Sequence, residues 1–383
     1  MNRNIYMDYA ATTFIKNEVL EEMMPYLKGF YGNPSSQYSI GFKSKMSIEF
    51  ARDNISNAIN CKSEEVFFTS GATEANNWAI KGFAHGNKER GNHIITTKIE
   101  HESLLSSCRY LEGNGFRVTY LSVDEEGLID LEELKNSIEK DTIIVSIMFA
   151  NNEIGTIQNI KEIGKICKGK GVVFHCDGVQ AFGKVPIDVK ELNIDMLSIS
   201  SHKIYGPKGV GALYVKKGIK LHNLLHGGGQ ERSKRGGTEN VASIVGFGKA
   251  TEISFNNMKE DMERLTILRD EMIDNLLHIE GSFLNGGSGN NRLPNNINIA
   301  FPGINGEDLL FNLDRMGVCV SSGSACQATS MEPSHVLLAL GLSKELAKAS
   351  IRISIGDETT KEDMEYVCEN IRNIVDRIRM VTE

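Results

Sequence analysis

The feature that most constrains this chain is a regular alternation of strand-like and helix-like runs through its first two-thirds. Val66–Thr69, His93–Thr97, Arg117–Ser122, Thr142–Phe149, Val172–His175, Met196–Ser200 and Gly211–Val215 read as strands. Glu74–Phe83, His101–Glu112, Glu132–Glu139 and Ile160–Lys168 read as the helices between them. Thr142–Phe149 is continuously apolar, as expected of a strand covered on both faces. This order predicts an α/β domain with a mostly parallel sheet. Ligands of such sheets sit outside the carboxyl ends of the strands.

The texture changes after Gly248. Thr251–Leu277 reads as a long charged helix, followed by strands at Asn296–Ala300 and Ala349–Ser354 and helices at Glu307–Met316 and Lys361–Met380. A length of 383 residues exceeds one ordinary core. The expected division is a large domain over residues 13–250 and a smaller α+β domain over 1–12 and 251–383. A net charge of −8 argues against broad nucleic-acid binding. Met1–Ala11 lacks the basic and apolar regions of a signal peptide. Ile143–Ala150 is too short to cross a bilayer, so a cytoplasmic location is expected by default. Seven cysteines, an odd number without a CxxC pair, indicate neither a disulfide framework nor a structural zinc site. The ordinary reading of each is a buried thiol.

The strand ends carry the chemistry. Ser70-Gly71-Ala72-Thr73 offers small residues at a helix start, where backbone N–H groups favour an anion; an ordinary cap by Ser70 or Thr73 is the competing reading. His101-Glu102-Ser103 supplies a histidine for ring stacking or proton transfer, or simply a hydrogen-bonded imidazole. Asn151 and Asn152 follow Thr142–Phe149 and also suit a plain turn. Asp177, at the end of a buried strand, is costly unless its charge is paired; a protonated ring nitrogen would pair it, and so would a helix N-cap. Lys203 sits in a turn between two apolar strands, a place suited to an amine nucleophile. Ser200 and His202 flank it and are placed to hold a phosphate. Together these groups form the set that pyridoxal 5′-phosphate requires. A dinucleotide fits worse, because no GxGxxG joins the first strand to its helix.

The ordered motifs carry a resemblance. Ser198-Ile199-Ser200-Ser201-His202-Lys203-Ile204-Tyr205-Gly206-Pro207-Lys208-Gly209 resembles the cofactor-lysine motif of class V aminotransferase-fold enzymes, most closely the NifS/IscS-type cysteine desulfurases. Tyr6–Thr13, Gly32–Ser36, Thr69–Asn77, Glu100–Ser103, Asn151–Gly155 and Ser321–Cys326 extend the likeness over nearly the whole chain. The resemblance implies fold type I of the pyridoxal-phosphate transferases, with a seven-stranded sheet and a smaller C-terminal domain. It implies that Lys203 holds the cofactor and moves protons, that His101 stacks on its ring, that Asp177 pairs with the ring nitrogen and that Gln180 reaches the ring hydroxyl. Ala72, Thr73, Ser200 and His202 would hold the phosphate, joined by Thr238 from a partner subunit, so a homodimer is implied. Arg352 would clamp the substrate carboxylate, assisted by Asn152.

Cys326 would take sulfur from L-cysteine as a persulfide, leaving alanine, and pass it to an acceptor such as an iron–sulfur scaffold. Small polar residues around it, Ser321–Ala325 and Gln327–Ser330, suit a loop that carries a thiol in and out of a site. Gly178 and Gln327 depart from the usual Ala and Thr. The end at Glu383 implies that a C-terminal extension used by some members for scaffold docking is missing. Selenocysteine lyase and aminotransferase activities remain open on the same fold, as does a non-enzymatic binding protein. Cys326 weighs against an aminotransferase, and the joint presence of Lys203, Asp177, His101 and Arg352 against a degenerate fold.

Overall fold

A computed structural model describes residues 4–322 and 332–382. Seven strands form the main sheet: β2 (Val66–Thr69), β3 (His93–Thr97), β4 (Arg117–Leu121), β5 (Thr142–Ser146), β6 (Val173–Asp177), β7 (Met196–Ser200) and β8 (Gly211–Val215). A short β1 (Ile5–Tyr6) precedes them. The sheet order is β2-β8-β7-β6-β5-β3-β4. Only β8 runs against its neighbours, and the pairs from β7 to β4 are all parallel. The expected mixed α/β fold with a seven-stranded, mostly parallel sheet is therefore present.

Successive residues of these strands feed opposite faces, as the two-residue period of a strand requires. Phe68, Ile95 and Val145 enter one core, while Phe67, Ile94 and Ile144 enter another. Burying each such side chain contributes about 1.5–3 kcal/mol, and burial on both faces explains the near-continuous apolar runs.

The smaller sheet has the antiparallel order β12-β13-β10-β9, from β9 (Phe283–Leu284), β10 (Asn296–Ala300), β12 (Ser321–Ser322) and β13 (Ser350–Ser354). Parallel pairing of β1 with β11 (Val318–Cys319) brings the N-terminus to this region, and Ile5 and Met7 enter its core. One helix, Val241–Leu277, serves both parts. Its Ile244, Phe247 and Ala250 pack under the main sheet, and its Leu265, Met272 and Leu276 under the smaller one.

The helix Val241–Leu277 begins ten residues before the expected Thr251 and includes Gly246 and Gly248, which sit where other helices approach closely. A Cβ on Gly248 would lie 2.6 Å from Ala51 Cα, and one on Gly246 2.6 Å from Met23 Sδ. Helices at Asn17–Lys28 and Ser39–Ala58, which make those approaches, were absent from the expected elements. Cysteine burial also needs correction. Cys108, Cys167, Cys176 and Cys368 are buried, but Cys61 is half-buried and Cys319 exposed. Cys319 lies on the two-residue strand β11, where Val318 faces inward and its neighbour faces out.

Candidate active site

The carboxyl ends of the main sheet open into a cavity of about 590 Å³. The structure brings Ala72, Thr73, His101, Asn152, Asp177, Gln180, Ser200, His202, Lys203 and Arg352 to its wall. Thr238 lies outside it, in an adjoining hollow that shares Ser70 and Gly209 with the cavity. Cys326 lies outside the described residues.

Each side chain is held by its local backbone. The helix after β2 starts at Ala72 with Gly71 as N-cap and no side-chain cap, so the expected alternative of a Ser70 or Thr73 cap is not what forms. Its first internal bond runs from Ala75 N to Gly71 O (3.1 Å), and the N–H groups of a first helical turn lack internal partners. Gly71 has φ +152°, and a Cβ there would meet nothing within 4 Å. The N-terminus therefore presents donors beside open space, which suits a phosphate.

Asp177 is the last residue of β6 and caps no helix. It is 5% exposed. Its carboxylate accepts from Asn76 Nδ2 (2.7 Å) and from Val179 N (3.0 Å). These two bonds satisfy only part of a buried anion's capacity, and a cationic ring nitrogen would complete it.

His101 is the N-cap of the helix Glu102–Glu112. Its Nδ1 accepts from Ser103 N (3.1 Å) and lies 2.8 Å from Ser103 Oγ. A nitrogen accepting from an amide carries no proton, so the neutral ring is protonated at Nε2.

Lys203 ends the short turn Ser201–Lys203 after β7. Its Nζ donates to Ala10 O and Ala11 O, both at 2.6 Å. Gln180 Nε2 donates to the same Ala10 O (3.0 Å). His202 Nδ1 is 3.1 Å from Thr12 Oγ1. Burial, with Lys203, Lys208 and Lys184 nearby, pushes the His202 imidazole down to about 4. His202 is thus a neutral hydrogen-bonding group at neutral pH rather than a cation. Thr13 N donates to His202 O (3.0 Å) and Tyr205 N to Thr13 Oγ1 (2.9 Å), so the Lys203 turn is bound to the N-terminal segment on both sides.

Arg352, on β13, is 2% exposed. Its Nη2 donates to Asp8 Oδ1 (2.8 Å) and Nη1 to Asn152 O (3.2 Å), while Nε is buried without a partner among the described residues. An orphaned guanidinium donor beside a cavity is costly and fits a carboxylate ligand.

Two buried carboxyls line the cavity that sequence reasoning assigned no role. Burial pushes Glu100 up to about 8 and Glu153 up to about 7. Glu100 Oε1 accepts from Thr97 Oγ1 (2.8 Å) and Met148 N (3.0 Å), and Oε2 has no partner among the described residues. Glu153 Oε2 accepts from Ser334 Oγ (2.5 Å). His335 lines the same cavity and donates from Nε2 to Glu100 O (3.0 Å). The signal in the sequence was a glutamate shortly after a strand-like run, at the end of the sheet where ligands bind.

The six described cysteines do not supply a low-pKa thiol. Burial pushes Cys61, Cys108, Cys167 and Cys368 up to about 12, drives Cys176 well above the ordinary range and raises Cys319. None of the six lines the cavity.

A family model described as "Aminotransferase class-V" matches residues 5–367. The chain belongs to the class-V aminotransferase family. This family member is 55% identical over 381 residues to cysteine desulfurase IscS of Clostridium botulinum, covering 99% of this chain and 96% of that one. It is 52% identical to cysteine desulfurase IscS of Dictyoglomus turgidum, covering 100% and 97%. Among solved structures it superimposes on a NifS-like protein with TM-score 0.92 at 38% identity, over 98% of this chain and all of the other. It also superimposes on SspA in complex with cysteine, with TM-score 0.82 at 39% identity, over 92% and 98%. The family is pyridoxal-phosphate dependent. Its cofactor fits here, because an amine, a partly satisfied buried anion and an open helix N-terminus share one cavity. Among the described residues, no helix is long and apolar enough to cross a membrane.

Proposed function

We propose that this chain is a cysteine desulfurase. It converts L-cysteine to L-alanine and passes the sulfur, as a persulfide on Cys326, to an acceptor protein for iron–sulfur cluster assembly or tRNA thiolation. The observation that carries this reading is the meeting of Lys203, Asp177 and the orphaned Nε of Arg352 in one cavity. The full-length relatives that bear this name support it.

Pyridoxal 5′-phosphate, when bound, supplies an electron sink for charge developing at the substrate α-carbon. Lys203 would hold it, and Asp177 would pair with the ring nitrogen. Ala72, Thr73, Ser200 and His202 would hold the phosphate, with Thr238 of a second subunit completing the cradle. Gln180 would donate to the ring hydroxyl, and His101 would stack on the ring. Arg352 and Asn152 fix the substrate carboxylate. Lys203 Nζ would take the substrate α-proton. The Cys326 thiolate then attacks the substrate sulfur: an S–S bond forms, the substrate Cβ–S bond breaks and its electron pair stays on the carbon side. Protonation at that carbon yields alanine. A thiolate is needed for the attack, and no described cysteine offers one at this cavity.

We place the enzyme in the cytoplasm as a homodimer of two-domain subunits, residues 13–250 forming the larger domain. Exposed Tyr38, Phe42 and Phe50 on or beside the helix Ser39–Ala58 support the dimer, since large apolar side chains clustered at a surface mark an interface. Release of alanine and sulfide in equal amounts from L-cysteine and a reductant tests the activity. Pyruvate or an oxo acid in place of alanine would contradict it.

A further inference from the structure

Asp8 belongs to the motif Tyr6–Thr13 and has no part in the scheme above. Its Oδ1 accepts from Arg352 Nη2 at 2.8 Å, and the Arg352 side chain is almost fully buried. The guanidinium is gripped from one end, with Nη1 on Asn152 O and Nε left without a partner among the described residues. The segment carrying Asp8 is itself fixed. Asp8 bridges to Ser354, and Ala10 N donates to Ser354 Oγ (2.8 Å). Ala10 O and Ala11 O accept the Lys203 amine.

A buried guanidinium without a counter-ion is strongly unfavourable. Asp8 neutralises Arg352 before any substrate arrives, so one incoming carboxylate leaves the pair with a net negative charge. A second carboxylate on the same small ligand would enter that field within a few bonds of the first. We infer that Asp8 is a positioning and specificity residue, a resident carboxylate that fixes Arg352 for one substrate carboxylate and repels a second. This rests on Arg352 as the substrate clamp proposed above. Like charges a few ångströms apart in a water-poor site separate affinities by about tenfold or more.

L-Aspartate and L-asparagine have nearly the same shape and differ by one charge. Their binding to holoenzyme, with L-alanine as reference, is read from the absorbance of the bound cofactor. Wild type is expected to bind L-asparagine at least about tenfold more tightly than L-aspartate. Asp8→Asn, whose side chain can still accept from Arg352 Nη2, is expected to close that gap to within about threefold. Equal wild-type affinities, a gap that persists in Asp8→Asn, or no binding of L-alanine would overturn the inference. If Asp8→Asn does not fold, Asp8→Ser and the wild-type ratio decide it. The readout is binding, so holoenzyme that bound these ligands but released no sulfide would count against desulfuration and not against Asp8.

Discussion

At the scale of residues, the site separates groups that local sequence announces from groups that only burial creates. Lys203, Asp177 and His101 stood out because each is a polar group at the end of an apolar run, Arg352 was implied only by the family resemblance, and the structure brings all four to one cavity. Glu100 and Glu153 sat in quoted motifs without a role, because a carboxyl's proton affinity is set by distant elements that bury it. Their raised values carry a stability consequence. Both bind protons more tightly in the folded protein than in the unfolded chain. Their stabilising contribution is full below the ordinary carboxylate range and is lost as pH rises through about 7 for Glu153 and about 8 for Glu100. Glu100→Gln, which keeps the acceptor used by Thr97 and Met148, is expected to flatten the fall in melting temperature between about pH 5 and about pH 9, by a few degrees. Thermal unfolding across that range checks it, and identical slopes for the two proteins would contradict the assignment.

At the scale of elements, the strands were legible and the helices less so. All seven strands of the main sheet lie within three residues of expectation, because burial on both faces gives unbroken apolar runs. Thr142–Phe149 ends as a strand at Ser146, yet Ile147 N and Phe149 N still bond to His175 O and Asp177 O beside it. Helices Asn17–Lys28 and Ser39–Ala58 escaped because apolar residues lie on more than one side of them: Leu20, Leu27, Ile40 and Met46 are exposed while Val19, Met23 and Ile48 are buried. Gly248 obscured the start of Val241–Leu277 in the same way, since glycine disfavours helix unless packing demands it. Gly248→Val is expected to lower stability by about 1–3 kcal/mol by forcing the helix off Ala51. Denaturant titration measures this, and an unchanged midpoint would mean that the close approach is not tight.

At the scale of the whole molecule, the proposed dimer would cover exposed apolar surface and bring Thr238 to the proposed phosphate site. Exposed aromatic side chains and the position of Thr238 outside its own cavity point the same way. Phe42→Asp combined with Phe50→Asp is expected to give a monomer that binds cofactor at least about tenfold more weakly, because buried like charges at an interface are strongly unfavourable. Light scattering and cofactor titration read both effects, and an unchanged mass would contradict the proposed interface. The role of Cys326 rests on the sequence resemblance alone. The most direct test is mass spectrometry of the holoenzyme after L-cysteine is added without reductant. One additional sulfur atom is expected on Cys326, and a Cys326→Ala variant is expected to keep its cofactor but to make neither persulfide nor alanine at more than about a hundredth of the wild-type rate. Alanine production by that variant at the wild-type rate would contradict that role.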